Sequence, residues 1–458
     1  MRIVKKTIAF SLIVCMVGLM CCFHSVDTVY AVPKVTSVTL TNVGDLYTIK
    51  KGKTLKLKYS IEASKKKYKA VRWKSSNKKV LKVSKKGVIK ARKKGVAYVT
   101  CYAKYDKTIK DKVKIRVGYP VTSIKIAKPT YYAEVGETKA ISYKVYPSKA
   151  SYKKLSWTSS DPEIASVSSS GVVTGYQTGN VSITACSNDG RDKKATVSLK
   201  VVSLTGDDAV FVAHRGYSAV APENTLPAFE QAALNNFDAA EMDIWESPVG
   251  EDEVDLMIMH DASIKRMCGA DIPITSVNTT NREDYPIISG NNIDQYTQGE
   301  NKVLIPTLDE ALETINNTNP NTKPVIELKP QSMSDEGIVE LMDCIERNGG
   351  QATIISFYKN SLESAQDEII RRNLEDSICT MYLTTSPTNT IFDYCVSRGY
   401  TGVSIRHTKL TASLTDYALS KNLVVAAWCI DNQAEAAELI DMGVSRITSN
   451  YKLFDVSN

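Results

Sequence analysis

The sequence predicts two small all-β sandwiches followed by one eight-stranded α/β barrel, on three observations. A unit of about 85 residues occurs twice in the first half. After Val202 short alternating strands give way to apolar runs separated by helical stripes. The segment beyond, about 255 residues, has the size of a (β/α)8 barrel.

At 458 residues the chain is too long for one ordinary domain. It opens on the cationic stretch MRIVKK, residues 7–23 are apolar, and Val29-Tyr30-Ala31 puts small residues at the minus-three and minus-one positions of a signal-peptidase site. Residues 1–31 are therefore expected to be a removed export signal, and the mature protein to be secreted or held at the cell surface. Three of the ten cysteines fall in that segment. The other seven, Cys101, Cys186, Cys268, Cys344, Cys379, Cys395 and Cys429, are odd in number, scattered and without CxxC spacing. They read as small buried hydrophobes, not as a zinc site or a disulfide framework. The net charge of +8 conceals an asymmetry: residues 33–118 carry 27 Lys and Arg against 4 acids, and residues 204–458 carry 17 against 39. A basic module is joined to an acidic one.

The two repeats cover residues 33–118 and 119–203. Val35-Thr36-Ser37-Val38 returns as Val121-Thr122-Ser123-Ile124, Trp73-Lys74-Ser75-Ser76 as Trp157-Thr158-Ser159-Ser160, and Gly87 and Gly95 as Gly171 and Gly179. Runs such as Thr54-Leu55-Lys56-Leu57-Lys58-Tyr59 alternate apolar with polar between turn residues, the pattern of half-buried antiparallel strands. With one cysteine apiece, neither copy has the pair an intersheet disulfide needs. The Trp-x-Ser-Ser core, Ser170-Gly171-Val172-Val173-Thr174-Gly175 and Gly179-Asn180-Val181-Ser182-Ile183-Thr184 resemble bacterial immunoglobulin-like domains of group 2. That resemblance implies Ig-like sandwiches that space or attach an enzyme; the first copy departs from it in its lysine load.

Residues 207–458 are expected to form the barrel. Thr307-Leu308-Asp309-Glu310 has capping-box spacing, and Leu308, Ala311, Leu312 and Ile315 follow at helical intervals, as do Ile338, Leu341, Met342 and Ile345. Nine strand-like runs end at Val212, Ile244, Met259, Leu328, Ser356, Leu383, Ile405, Trp428 and Thr448, one more than a barrel needs. The polar stretch 268–302 reads as an insertion, a lid beside the third run.

Chemistry concentrates where apolar runs end. His214 follows Phe211-Val212-Ala213, and His260 follows Met257-Ile258-Met259, so two histidines share the placement a barrel reserves for catalysis. Glu241 and Asp243 lie two apart on one run, Glu327 and Lys329 on another, and period two puts each pair on one face. Three carboxylates in a barrel mouth call for a hard divalent cation, Ca²⁺ or Mg²⁺, since one lysine does not balance them; the other reading is an internal ion-pair network through Lys329 with no metal. His407 sits in no such pattern and reads as structural.

His214-Arg215-Gly216, Pro222-Glu223-Asn224-Thr225, Glu241-Met242-Asp243, His260-Asp261, the run from Pro306 through Leu312, Glu327-Leu328-Lys329 and Ser356-Phe357 together resemble the ordered motif series of the glycerophosphodiester phosphodiesterase family. The resemblance implies a TIM-type barrel, His214 and His260 as acid and base, Glu241, Asp243 and Glu327 as metal ligands with Ca²⁺ ahead of Mg²⁺, and Arg215 and Lys329 on the phosphate. It implies attack by the substrate's neighbouring glycerol hydroxyl, a cyclic phosphate, and water opening it. Glu223 either shapes this site or opens the following helix; Trp428 packs either on glycerol or in the core. The family has Thr-Asp where Thr448 is followed by Ser449 and Asn450, a departure expected to alter substrate fit. The implied substrates are deacylated phospholipids or the glycerophosphate of teichoic acid outside a Gram-positive cell. The lysine-rich residues 33–118 fit an anionic wall polymer, and no nucleic-acid partner is expected. Two other readings are a surface-binding protein with an inactive barrel and a phospholipase acting on intact lipids.

Overall fold

The computed structural model describes residues 34–251 and 253–454. The expected export signal, 1–31, lies outside them. The chain divides into two compact units, Met1–Pro120 and Val121–Asn458. The first unit holds the first sandwich; the second holds the second sandwich and the barrel together.

Each sandwich pairs a four-stranded with a three-stranded sheet. In the first, Leu46–Ile49 runs parallel to Lys110–Val117, and Gly95–Ala103 and Val71–Ser75 follow antiparallel; Thr54–Lys56, Val88–Ala91 and Leu81–Val83 form the facing sheet. The second repeats this order from Thr130–Glu134 to Leu155–Ser159 and from Thr138–Ala140 to Ala165–Val167. Alternation builds the core: Ala97, Val99, Cys101 and Ala103 point inward and are buried while Val96 and Tyr98 are exposed. The recurring tryptophan and glycine explain each other. A Cβ on Gly87 or Gly171 would stand 2.7 Å from the ring of Trp73 or Trp157, and both glycines have positive φ, +75° and +84°. None of the seven cysteines among the described residues is in a disulfide.

The barrel strands are β1 (Val210–Ala213), β2 (Ala239–Pro248), β3 (Val254–Ile258), β4 (Lys323–Leu328), β5 (Ala352–Ser356), β6 (Ile378–Thr384), β7 (Gly402–Arg406), β8 (Val424–Trp428) and β9 (Arg446–Ser449). Eight are parallel staves, closed where β1 pairs with both β2 and β9. The supernumerary run is β3, which pairs antiparallel with the far end of β2, Ile244 opposite Ile258. The one run in excess, which the sequence left unidentified, is thus the run that precedes His260; a hairpin brings His260 back beside β2, where the Met259 N–H donates to the Asp243 carbonyl.

Among the described residues seven helices of eight or more residues lie outside: α1 (Leu226–Leu234), α2 (Leu308–Thr318), α3 (Asp335–Arg347), α4 (Lys359–Arg372), α5 (Asn389–Ser397), α6 (Ala412–Ser420) and α7 (Gln433–Ile440). The expected capping box at Thr307 and Glu310 is formed, and the stripe Leu308, Ala311, Leu312, Ile315 is buried. Phe211, Phe229 and Phe237 are fully buried, each contributing about 1.5–3 kcal/mol of apolar transfer. The insertion after β3 is compact, with its own core of Met257, Met259, Ile264, Met267, Ile274 and Ile287. It reaches the loop after β1 through Asn291 and Asn292, whose amides donate to the carbonyls of Ser218 and Val220.

The second sandwich docks on α7. Lys128 pairs with Glu438 at 2.8 Å, and Lys200 and the Tyr132 hydroxyl both reach Asp441, at 2.8 and 2.9 Å.

Candidate active site

Inside the barrel, side chains at every second position face the axis, apolar first and charged last. On β2 the inward series is Ala239, Glu241, Asp243; on β4 it is Val325, Glu327, with Lys329 just beyond. Asp243 stands in register with Glu327. The charged ends converge at the C-terminal mouth, where such barrels keep their chemistry.

The oxygens of Glu241, Asp243 and Glu327 lie within 4.8 Å of one another, and Glu241 and Asp243 are only 3% and 1% exposed. Burial, then the charges of Asp243 and Glu327, push the Glu241 carboxyl well above its usual range. Burial and Asp243 likewise push Glu327 up to about 7. Asp243 goes the other way: burial opposes its charge, but Lys329, Arg215 and His260 hold its pKa below the ordinary value. Lys329 Nζ sits 3.2 Å from Asp243 and 2.9 Å from Glu327, Arg215 Nε 3.6 Å from Asp243, and Asn224 Nδ2 donates to Asp243 at 2.8 Å. Even with both cations in place two carboxyls stay strained toward neutrality, so an ion-pair network alone leaves the cluster unbalanced. An all-oxygen donor set with surplus negative charge fits a hard divalent cation.

The residues around the triad are held by unusual backbone. Arg215 adopts φ +57° and its N–H donates to Glu241 Oε2 at 2.7 Å. Gly216 follows at φ +72°, and a Cβ there would be 2.6 Å from the Ala228 backbone. Asn224, at φ +56°, is the third residue of this kind. Strain gathered at one site marks geometry fixed by the surroundings. Glu223 accepts from Arg215 Nη1 at 2.8 Å and Arg266 Nη2 at 2.7 Å. It does not open α1, which starts at Leu226 with Thr225 as its N-cap; of the two expectations for Glu223, the site-shaping one has the contacts.

The pocket at the mouth is lined on its polar side by His214, Arg215, Glu241, His260, Glu327 and Lys329, and on its apolar side by Ile355, Phe357, Leu383 and Trp428. Trp428 packs edge-on against Phe357 with ring centroids 5.7 Å apart, so it belongs to the pocket wall. His407 is bound through Nδ1 to Glu435, apart from the pocket.

Five further residues hold the histidines. His260 Nδ1 lies 2.6 Å from Asp261, whose other oxygen accepts from Arg266 Nε at 2.6 Å. His214 Nδ1 lies 2.8 Å from Asn450 Oδ1 and 3.3 Å from Cys429 Sγ, and Asn450 is anchored on Asp431. Burial, then Arg215, holds the His214 pKa below its ordinary value. Burial, then Glu241 and Asp431, pushes the Cys429 thiol up to about 12. Asp261 was adjacent to His260 in sequence and open to detection; Asp431 and Asn450 meet only because they follow the ends of the neighbouring parallel staves β8 and β9.

Comparison with known proteins assigns families to both halves of the chain. Residues 214–452 match the model of the glycerophosphoryl diester phosphodiesterase family, and residues 34–113 and 120–198 match that of the bacterial Ig-like domain, group 2. The Bacillus subtilis (strain 168) protein YhdW is 28% identical over 254 residues, 54% of this chain and 96% of that protein. A glycerophosphodiester phosphodiesterase of the same strain is 25% identical over 272 residues, covering 54% of this chain and 85% of its own. Among solved structures, an Oleispira antarctica phosphodiesterase in complex with the product sn-glycerol-3-phosphate aligns at TM-score 0.42 and 21% identity over 53% of this chain and 92% of that one. With the family model spanning more than half of its length, the chain belongs to the glycerophosphoryl diester phosphodiesterase family, and its barrel is an enzyme that hydrolyses glycerophosphodiesters.

Proposed function

We propose that hydrolysis depends on a divalent cation held by Glu241, Asp243 and Glu327, with His214 and His260 carrying the protons. The observation that supports this is convergence: two histidines, two cationic side chains and two carboxylates of the acidic triad, Glu241 and Glu327, line one pocket, and the third, the buried Asp243, is paired with Lys329 at its wall. When bound, the cation supplies Lewis-acid polarisation of a phosphoryl oxygen. Arg215 presents a planar fork and Lys329 a compact charge to the remaining phosphate oxygens, opposing the charge that builds there. One imidazole takes the proton of the attacking hydroxyl or water as the new P–O bond forms. The other gives its proton to the leaving oxygen as the old bond breaks. Phe357 and Trp428 offer the glycerol carbons an apolar wall.

The test is hydrolysis of glycerophosphocholine by the purified full chain, with EDTA and with Ca²⁺ or Mg²⁺ restored. The expected result is loss with EDTA and recovery with metal, Ca²⁺ the better of the two. Hydrolysis indifferent to EDTA refutes the metal dependence.

Around this chemistry we place an exported protein, cut after Ala31, whose first sandwich attaches to an anionic wall polymer and whose second spaces the enzyme. The motif at residues 29–31 and the lysine excess of residues 33–118 support that reading. Terminal sequencing of protein from the culture medium is expected to begin at Val32; retention of residues 1–31 refutes cleavage.

A further inference from the structure

The two histidines have partners of different chemistry. His260 faces a carboxylate, Asp261, and His214 faces an amide, Asn450. An amide offers an acceptor at one end and a donor at the other, so what it does to a histidine depends on which end is turned toward it. Asp431 decides that here. Its carboxylate receives Asn450 Nδ2 at 3.1 and 3.3 Å, the Asn450 backbone N–H at 3.1 Å and the Ser449 hydroxyl at 3.3 Å. A reversed amide would set its oxygen against that carboxylate, acceptor against acceptor. The orientation seen leaves Oδ1 for His214, and the Ser218 hydroxyl donates to the same oxygen at 3.2 Å. An amide oxygen only accepts, so Nδ1 of His214 carries a hydrogen. The lone pair is then on Nε2.

We propose that Asp431 and Asn450 are positioning residues: Asp431 orients the Asn450 amide, and Asn450 holds His214 in its Nδ1–H tautomer, making Nε2 the proton acceptor of the reaction. This rests on the two-histidine reading above. It goes beyond it by separating the roles: His214 takes the proton of the attacking hydroxyl at Nε2, and His260, whose carboxylate partner offsets imidazolium charge, supplies the proton to the leaving alcohol. A neutral imidazole at His214 agrees with its burial and with Arg215 beside it, which outweigh the opposing bond to Asn450 and the charges of Asp243 and Glu223. The geometry has the logic of a histidine held by an acid, here a solvent-exposed one, with one amide inserted between acid and ring. It also gives Asn450 a place. The departure from the family's Thr-Asp lies against the catalytic histidine and not among the groups lining the pocket.

The test uses the full chain with metal present, following nitrogen-15 imidazole shifts together with kcat and KM. Wild-type His214 is expected in the Nδ1–H form; an Nε2–H form overturns the proposal without any variant. Asp431→Asn frees the amide to turn, and kcat is expected to fall roughly 10- to 100-fold, with KM unchanged and the tautomer mixed. The swap Asp431→Asn with Asn450→Asp again places an acceptor on His214 and a donor behind it. It is expected to restore the tautomer and most of kcat, and to move the acid limb of the kcat/KM profile to higher pH, because a charged partner now faces the ring. A single variant with unchanged kcat and tautomer, or a swap no better than the single variant, overturns the positioning role. His214→Ala and His260→Ala measured alongside keep the two failures apart: full activity in both sinks the two-histidine reading itself.

Discussion

The barrel mouth and the sandwich repeats obey the same alternation of strand side chains and put charge on opposite sides of it. In the first sandwich the inward positions are apolar but for Asp111, which accepts from the Leu40 N–H, and most charge sits outward, on Arg72, Lys74, Lys110 and Lys112. In the barrel the last inward positions of β2 and β4 are Glu241, Asp243 and Glu327. Outward charge keeps its water and costs the fold little. Inward charge loses its hydration and persists only where other groups offset it. Inward charge thus points to chemistry, outward charge to solubility or partners. Substitutions on the two sides are expected to separate accordingly, and they are ranked here by their effect on turnover.

The largest effect belongs to the mouth. His214→Ala and His260→Ala are each expected to lower turnover by roughly 10² to 10⁴ while the circular dichroism and melting of the chain stay as they were. Near-normal rates in either variant remove that residue from the proton path. Next come Glu241→Gln, Asp243→Asn and Glu327→Gln, each deleting one anionic ligand. All three are expected to raise the metal concentration needed for half-maximal rate, and calorimetry is expected to show weaker divalent binding. Unchanged affinity in all three would leave the ion pairs of Lys329 and Arg215 as the whole account of the cluster.

A substitution that breaks packing and not charge falls third. Gly171→Ala drives a methyl into Trp157 at a backbone angle that side chains rarely adopt, and is expected to cost about 2–4 kcal/mol. Thermal unfolding is expected to begin earlier, while turnover well below the transition is unchanged. Because the second sandwich is held to α7 by Lys128, Tyr132 and Lys200, a second expectation follows: the Asp441→Asn exchange loosens this junction by less than about 1 kcal/mol, the range of exposed ion pairs. An unaltered melting curve for Gly171→Ala would mean that the tryptophan contact is not what the repeat keeps its glycine for.

How much of this was legible in the sequence follows from how local each signal is. Period-two alternation and the capping box at Thr307 depend on residues within one element, and both read correctly. The triad was legible because two of its members share a strand and the third repeats their spacing. The antiparallel β3 was not: a short apolar run has no polarity of direction, and only pairing with β2 reverses it. Asp431 and Asn450 were invisible for a related reason, since they are 19 positions apart, separated by α7, and meet only once β8 and β9 lie side by side. The docking of the second sandwich on α7 joins residues more than 200 apart through ordinary surface side chains, with no pattern to announce it.

The smallest effect on turnover, and the sharpest test of outward charge, lies on the first sandwich. On the outer face of its four-stranded sheet Arg72, Lys74, Lys110, Lys112 and Lys114 alternate with buried residues, and Tyr98 and Tyr102 stand between them, Lys112 Nζ 5.6 Å from the Tyr98 ring. The same register in the second sandwich carries Ser156, Thr158, Lys194, Thr196 and Ser198, with Ser182 and Cys186 at the tyrosine positions. Two copies of one fold therefore differ on this face by four cationic side chains and two aromatic ones. So dense a charge opposes compaction and favours a polyanionic partner, whose condensed counterions would be released on binding. Exchange of the five cationic residues of this face for glutamine is expected to leave hydrolysis of a soluble diester unchanged and to abolish sedimentation with purified walls at ~50 mM salt, where the native chain binds and from which ~500 mM salt releases it. Glutamine at Lys56, Lys82 and Lys90, on the opposite sheet, is the control. If both sets weaken binding in proportion to charge removed, the whole module attracts the polymer and the face has no special part; if neither does, or if binding is indifferent to salt, the lysines serve solubility alone.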